Sequence, residues 1–289
     1  MSALRALLAA AALAAAAAAS AEPAAWRVPG RDGGEVVLLG SMHLLRSSDY
    51  PLPTSIDGLV ERADTIVMEI DFDDLDPARQ QRVIMETAVL PQGTELADVI
   101  DADLYALLEQ RAAETGVDLT LLARFEPWFL ALSLLDLGLR NIGFVPERGV
   151  EQYVLGRSRS AGKEVEGLET MEFQIGIFDS LPPESQRAML EQTLTELDEA
   201  ETAMAAMAVA WRAGELEPLS KELLDDFAEF PGLYEKLVTQ RNTDWLGSLE
   251  RMLGDGRRYL VVVGALHLVG RDSVIDMLAE RGHTVERIH

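Results

Sequence analysis

Two stretches of the chain are apolar almost without interruption. One is Glu35-Val-Val-Leu-Leu-Gly-Ser-Met-His43, the other Tyr259-Leu-Val-Val-Val-Gly-Ala-Leu-His267. Runs of this length, rich in valine and leucine, predict strands buried on both faces, here over 36–39 and 257–263. Thr65-Ile-Val-Met-Glu-Ile70 reads as a further strand, and 163–167 and 284–288 as shorter ones. Elsewhere apolar positions recur every three to four residues, which predicts amphipathic helices over 54–63, 77–88, 102–115, 127–137, 150–161 and 171–179. The same spacing predicts one long helix over 183–211 and further helices over 221–228, 233–253 and 273–281. Strand, helix, strand over 36–70 is a βαβ unit, so its two strands are expected to be parallel. The expected fold is α/β, with mixed α+β as the alternative. Its central, largely parallel sheet is drawn from both chain ends and interrupted by a helix-rich insertion.

Length alone permits the chain one large domain or two small ones. Its 289 residues, 48% of them hydrophobic, suit one sizeable core. Residues 1–21 have the form of a secretory signal peptide: Arg5, an alanine-dominated apolar run, then Ala19-Ser20-Ala21 as a small-x-small cleavage site. Residues 22–34 read as a linker ending in the turn signal Arg31-Asp-Gly-Gly34, and 35–289 as a single domain. A cleaved leader implies a periplasmic or secreted protein with no stable membrane insertion afterwards, since no later segment is long and apolar enough to span a bilayer. A formal net charge of -24 argues against nucleic-acid binding through phosphates. Cysteine is absent, which excludes a disulfide framework and thiol chemistry.

Chemistry concentrates where the two long apolar runs end. Each closes on Gly-x-x-His, Gly40-Ser-Met-His43 and Gly264-Ala-Leu-His267, and the glycine is expected to let the backbone turn sharply there. Both histidines then lie just past a strand's C-terminal end, where open α/β sheets bind ligands. Glu69 sits almost at the end of the third run, where an ionised carboxylate is costly unless paired or ligating. If the three strands are parallel neighbours, His43, Glu69 and His267 converge. Two imidazoles and a carboxylate form a common site for a divalent metal such as Mn, Co or Zn. A metal there would acidify water and polarise a substrate carbonyl, with Glu69 as ligand or as base. A single Gly-x-x-His is more often a strand–turn whose histidine bonds the backbone; the repetition favours a site. The remaining histidines, His283 and His289, lack that setting.

These pieces together resemble the TraB/GumN family, within the Tiki-like metalloprotease superfamily. Beside the two Gly-x-x-His motifs, the resemblance rests on Tyr50-Pro-Leu-Pro53, Val67-Met-Glu69, Gly149-Val-Glu151, Gly167-Leu-Glu-Thr170 with Gln174, and Arg241-Asn242, in that order. It implies a mixed α/β fold and, in Tiki-type members, divalent-metal-dependent proteolysis. The family pattern makes Arg241 a candidate for gripping a substrate carboxylate or an oxyanion. Glu169, just past a short strand, is a second carboxylate at the same edge. Glu151 opens a helix, where it suits the helix dipole; it joins Glu69 and Glu169 as a candidate general base. Two functions follow. The first is an exported metal-dependent hydrolase whose substrate is a peptide or small molecule. The alternative is a non-catalytic periplasmic protein that binds haem, metal or peptide in the same crevice. Neither His-Glu-x-x-His nor a Gly-x-Ser-x-Gly elbow occurs, so usual zincin or serine-hydrolase chemistry is not expected.

Overall fold

The structure is a computed structural model and describes residues 22–72, 76–225, 227 and 230–289. The expected leader, 1–21, lies outside the described residues, as do residues 73–75 and part of the end of the helix expected over 221–228. Six strands form one sheet in the order β4-β3-β5-β2-β1-β6. They are β1 (Ala25–Pro29), β2 (Glu35–Ser41), β3 (Thr65–Ile70), β4 (Glu164–Glu169), β5 (Arg258–Gly264) and β6 (Glu286–Arg287). β4, β3, β5 and β2 run parallel, whereas β1 pairs antiparallel with both β2 and β6. β2 and β3 are parallel as the βαβ spacing predicts, but β5 from the far end of the chain lies between them. The fold is mixed α/β, with the sheet built largely from the two chain ends.

The uninterrupted apolar runs have a direct cause. Val37, Leu39, Ile66, Met68, Leu260 and Val262 pack into a core on one face, and Val36, Leu38, Val67, Tyr259, Val261 and Val263 into a core on the other. Alternate residues serve opposite faces, so every position must be apolar. The first face is covered by α1 (Ser55–Arg62) and, later in the chain, by the helix starting at Val150. The connection from β3 to β4 carries α2 (Pro77–Thr87), α3 (Ala102–Thr115), α4 (Pro127–Asn141) and α5 (Val150–Ser160). After β4 come α6 (Met171–Asp179), α7 (Pro183–Glu196), α8 (Ala200–Ala213), α9 (Leu216–Asp225), α10 (Gln240–Gly254) and, past β5, α11 (Val274–Glu280). α10 and α11 cover the second face. α3, α4 and α7 enclose a separate core around Leu108, Leu130, Leu134 and Leu190. The helix-rich insertion thus has a hydrophobic interior of its own.

Three details differ from the sequence expectation. Residues 25–29, read as part of a linker, form β1. Trp26 and Val28 are buried in it, while Arg27 reaches Glu35 at 2.5 Å on the surface. Proline and glycine on either side mask the strand, whose partners β2 and β6 come from both ends of the chain. The single helix expected over 183–211 breaks at Leu197–Glu199 without glycine or proline, because Arg111 of α3 caps the Leu194 carbonyl at 2.9 Å and pairs with Asp198. The helix expected over 233–253 contains a π-helical turn, Glu235–Thr239, directly before the α-helix that carries Arg241. No helix among the described residues is long and apolar enough to cross a membrane.

Candidate functional site

Parallel register brings the strand ends level. Ser41 pairs with Gly264, and Ile70 with Glu169. His43 lies two residues beyond β2, and His267 sits in the short 3-10 turn Ala265–Leu268 beyond β5. Glu69 approaches both. Its Oε1 accepts the Gly264 N–H at 2.7 Å and stands 3.8 Å from His267 Nε2. A Cβ on Gly264 would lie 3.0 Å from His43 Nε2 and 3.3 Å from Glu69 Oε1. Gly264 is therefore required for close approach and not for a turn, since it has φ -50. The three residues expected to converge do so.

The two histidines are held differently. His43 donates Nδ1–H to Glu151 Oε1 at 2.7 Å, and Ser41 Oγ donates to the same oxygen. Glu151 reaches them because α5 starts against the His43 loop: Val150 N bonds the Met42 carbonyl at 3.0 Å, and a Cβ on Gly149 would collide with the His43 carbonyl. The neighbouring Glu151 charge, opposed by desolvation, raises the His43 pKa to about 9. Burial would raise Glu151, but the His43 charge and the His43 and Ser41 hydrogen bonds outweigh it and hold the carboxyl below its ordinary value. His267 is buried; Nδ1 faces Asn242 Oδ1 at 2.7 Å and Nε2 faces Arg241 Nη1 at 3.1 Å. Burial, together with Arg241 and His43 and against the pull of Glu69, depresses its pKa to about 3, so His267 is neutral.

Arg241 lies between two carboxylates. Nη2 reaches Glu69 Oε2 at 2.5 Å and Glu169 Oε2 at 2.9 Å, Nε reaches both Glu169 oxygens, and Nη1 reaches the Leu237 carbonyl and His267. Its N–H groups are thus engaged inside the protein, and the residue is 5% exposed. The role expected for it, gripping a substrate carboxylate or oxyanion, does not match this geometry; it holds the carboxylates in place. Glu169 is likewise occupied: besides Arg241 it accepts Trp245 Nε1 at 2.8 Å and Gln174 Nε2 at 3.1 Å, which leaves it a counter-ion and not a free base. Burial pushes the Glu69 carboxyl up, but the charges of His43 and Arg241 and the Gly264 N–H outweigh it and hold it below its ordinary value. Since His267 is neutral, His43 and Arg241 carry the positive charge around it. A carboxylate so firmly ionised suits a ligand better than a general base.

The residues fit a divalent ion in chemistry. Each imidazole has Nδ1 tied to an oxygen acceptor, Glu151 or Asn242, which is the outer-shell arrangement that orients Nε2 for ligation. Among the described residues, no group of three or more His, Cys, Asp or Glu side chains is already arranged to hold one. The reason is local: Arg241 Nη1 caps His267 Nε2 and Nη2 holds Glu69. Sequence alone does not mark Ser41, Gln174, Asn242 and Trp245 as site residues, and it marks Glu151 as a helix-start carboxylate or a base. The signals of Ser41, Glu151 and Asn242 lie within Gly-Ser-Met-His, Gly-Val-Glu and Arg-Asn, but their partners are distant in the chain; Trp245 carries no such signal. Beside the cluster opens a cleft of about 250 Å³ walled by Ile70, Phe72 and Pro146, with Gln152 and Gln174 at its sides.

A sequence profile described as the TraB/PrgY/gumN family matches residues 24–287. The uncharacterized protein YbaP of Escherichia coli (strain K12) is 28% identical over 241 residues, covering 83% of this chain and 86% of that protein. YbaP of Shigella flexneri matches to the same extent. No solved structure matches the chain.

Proposed function

The chain belongs to the TraB/PrgY/gumN family, and from that premise we propose that it is an exported metal-dependent hydrolase of peptides, with the strand-end cluster as its site. The observation that carries the reading is the convergence of His43, Glu69 and His267 on Gly264, with both Nδ1 atoms already tied. His43 and His267 through Nε2, with Glu69, would hold Mn, Co or Zn. A divalent ion supplies Lewis acidity and lowers the pKa of water. Gly264 N–H and Gln174 fix the Glu69 carboxylate, and the Arg241–Glu169 pair fixes its other side. Glu151, which borders the open cleft, accepts from His43 Nδ1 and so turns Nε2 toward Glu69 and Gly264. At about 250 Å³ the cleft falls below the roughly 300–1,000 Å³ typical of drug-sized ligands. It suits one apolar side chain of a peptide better than a haem.

One observation favours the other reading, binding without turnover: Arg241 already neutralises Glu69 and covers His267. Metal analysis of the purified mature protein, before and after chelator, combined with a peptide-library cleavage assay, separates the two. Stoichiometric metal and chelator-sensitive cleavage that is lost in Glu69→Gln support the hydrolase. Absence of both, with tight peptide binding, overturns it. Export is part of the proposal and rests on Ala19-Ser20-Ala21. Mass spectrometry of the exported protein should show a start at Glu22; an intact Met1 start would reject cleavage.

A further inference from the structure

We propose that Asn242 is a positioning residue that, with Arg241 on the opposite side of the ring, locks His267 in the tautomer protonated at Nδ1, leaving Nε2 as the imidazole's lone-pair nitrogen. The assignment follows from hydrogen-bond valence. The Asn242 side chain is fully buried. One end of its amide meets two carbonyls, that of Asp272 at 2.7 Å and that of His267 itself at 3.5 Å. Only the NH2 end can face carbonyl oxygens. Oδ1 therefore faces His267 Nδ1, at 2.7 Å, and because Oδ1 carries no hydrogen the ring nitrogen must supply it.

The opposite side of the ring gives the same answer independently. Arg241 Nη1 lies 3.1 Å from Nε2, and a guanidinium can only donate, so Nε2 must accept. A neutral imidazole satisfies both partners in one tautomer alone. Trp245, whose ring lies 4.5 Å from the imidazole centroid, restricts rotation of the ring between these contacts. The carbonyl that sets the amide's direction belongs to Asp272, a non-glycine residue at φ 61, in the left-handed region. Such backbone is maintained where the surroundings over-determine it, and it clusters at functional sites. Tyr234 Oη holds the preceding carbonyl, of Arg271, at 3.0 Å. The loop after His267 thus folds back to orient, through Asn242, the histidine that precedes it.

The tautomer stands on the contacts alone; its consequence for metal affinity rests on the metal-dependent reading above. The test uses the full mature chain, 15N-labelled and free of metal, near pH 7.5. Long-range proton–nitrogen correlation spectra report which imidazole nitrogen carries the proton, with the His267 signals assigned by their loss in His267→Gln. The expected result is protonation at Nδ1 in the wild type, with that proton shifted downfield by its short bond to Oδ1; in Asn242→Ala, where Arg241 still donates to Nε2, the Nδ1 proton loses its acceptor, moves upfield and exchanges faster with solvent. Zinc affinity of the variant, measured by chelator competition, should fall about 10–100-fold, the usual cost of an outer-shell partner. A wild-type His267 protonated at Nε2 overturns the proposal, and so does an Nδ1 proton in Asn242→Ala with the same shift and exchange rate as in the wild type. If that variant does not fold, the wild-type spectrum decides. If the wild type has the expected tautomer but binds no zinc, the positioning role stands and the hydrolase reading fails.

Discussion

The two Gly-x-x-His corners share a sequence pattern and a place in the fold, yet they put their histidines in opposite states. The His43 side chain is 58% exposed and carries a proton beside Glu151. The His267 side chain is 5% exposed, neutral, and gripped at both nitrogens. Their glycines differ as well. A Cβ on Gly264 would press on His43 and Glu69, whereas one on Gly40 would press on Ala265. The repeat in sequence fixes where each histidine sits along a strand. What approaches it afterwards, a carboxylate on a helix start or an amide and a guanidinium within a buried helix, fixes what it can do.

The largest test strikes the buried corner through Arg241. Removing a charge flanked by two buried carboxylates leaves both unpaired, so Arg241→Ala should destabilise the fold by about 3–5 kcal/mol. Urea denaturation measures it, and a loss below about 1 kcal/mol would show that the network contributes little. Arg241→Lys should recover part of that loss, because a point charge cannot reproduce the fork.

The next test compares the histidines directly. His267→Ala leaves Asn242 Oδ1 without its donor and Arg241 Nη1 with the Leu237 carbonyl alone, which should cost about 1–3 kcal/mol. His43→Ala removes a more exposed ring but leaves the buried Glu151 carboxylate with Ser41 as its side-chain partner, and should cost about 1–2 kcal/mol. Under the hydrolase proposal both variants lose bound metal. Full retention of metal in either one removes that histidine from the ligand set.

The glycines provide a narrower contrast. Overpacking from either Gly40→Ala or Gly264→Ala should cost about 1–3 kcal/mol. Only Gly264→Ala should also displace His43 from Glu69 and weaken metal binding. Equal metal affinity in both variants would contradict the close-approach role given to Gly264.

The smallest effect per step is in pH dependence, and the corners should act with opposite sign. The His43 pKa is higher folded, about 9, than its ordinary 6.5. Its stabilising contribution is complete below pH 6.5 and is lost as pH rises through 9. The His267 pKa is lower folded, about 3, so the unfolded chain takes up a proton that the folded chain refuses. This stability is present above pH 6.5 and is lost as pH falls toward 3, at no more than about 1.4 kcal/mol per pH unit. In metal-free protein, His43→Gln should flatten the alkaline limb of the stability curve and His267→Gln part of the acid limb. If both variants alter the same limb, the assignment of states is wrong.

The sequence by itself determined the parts of this protein that depend on neighbours in the chain. Uninterrupted apolar runs specify strands buried on both faces, because alternate side chains must each find a core. The 3.6-residue periodicity specified helices such as Ala102–Thr115 and Met171–Asp179. Gly-x-x-His placed two histidines at strand ends, and a carboxylate inside an apolar strand marked Glu69. Tertiary structure decided what depends on partners far along the chain. β1 is a strand because β2 and β6 flank it, and the helix expected over 183–211 breaks because Arg111 captures a carbonyl of α7. Glu151 serves His43 from 108 positions away, and Arg241 joins Glu69 from 172. Charge state, tautomer and donor direction depend on burial and hydrogen-bond partners in three dimensions. Linear spacing sets neither, so one motif written twice could become an exposed imidazolium at one end of the chain and a buried neutral imidazole at the other.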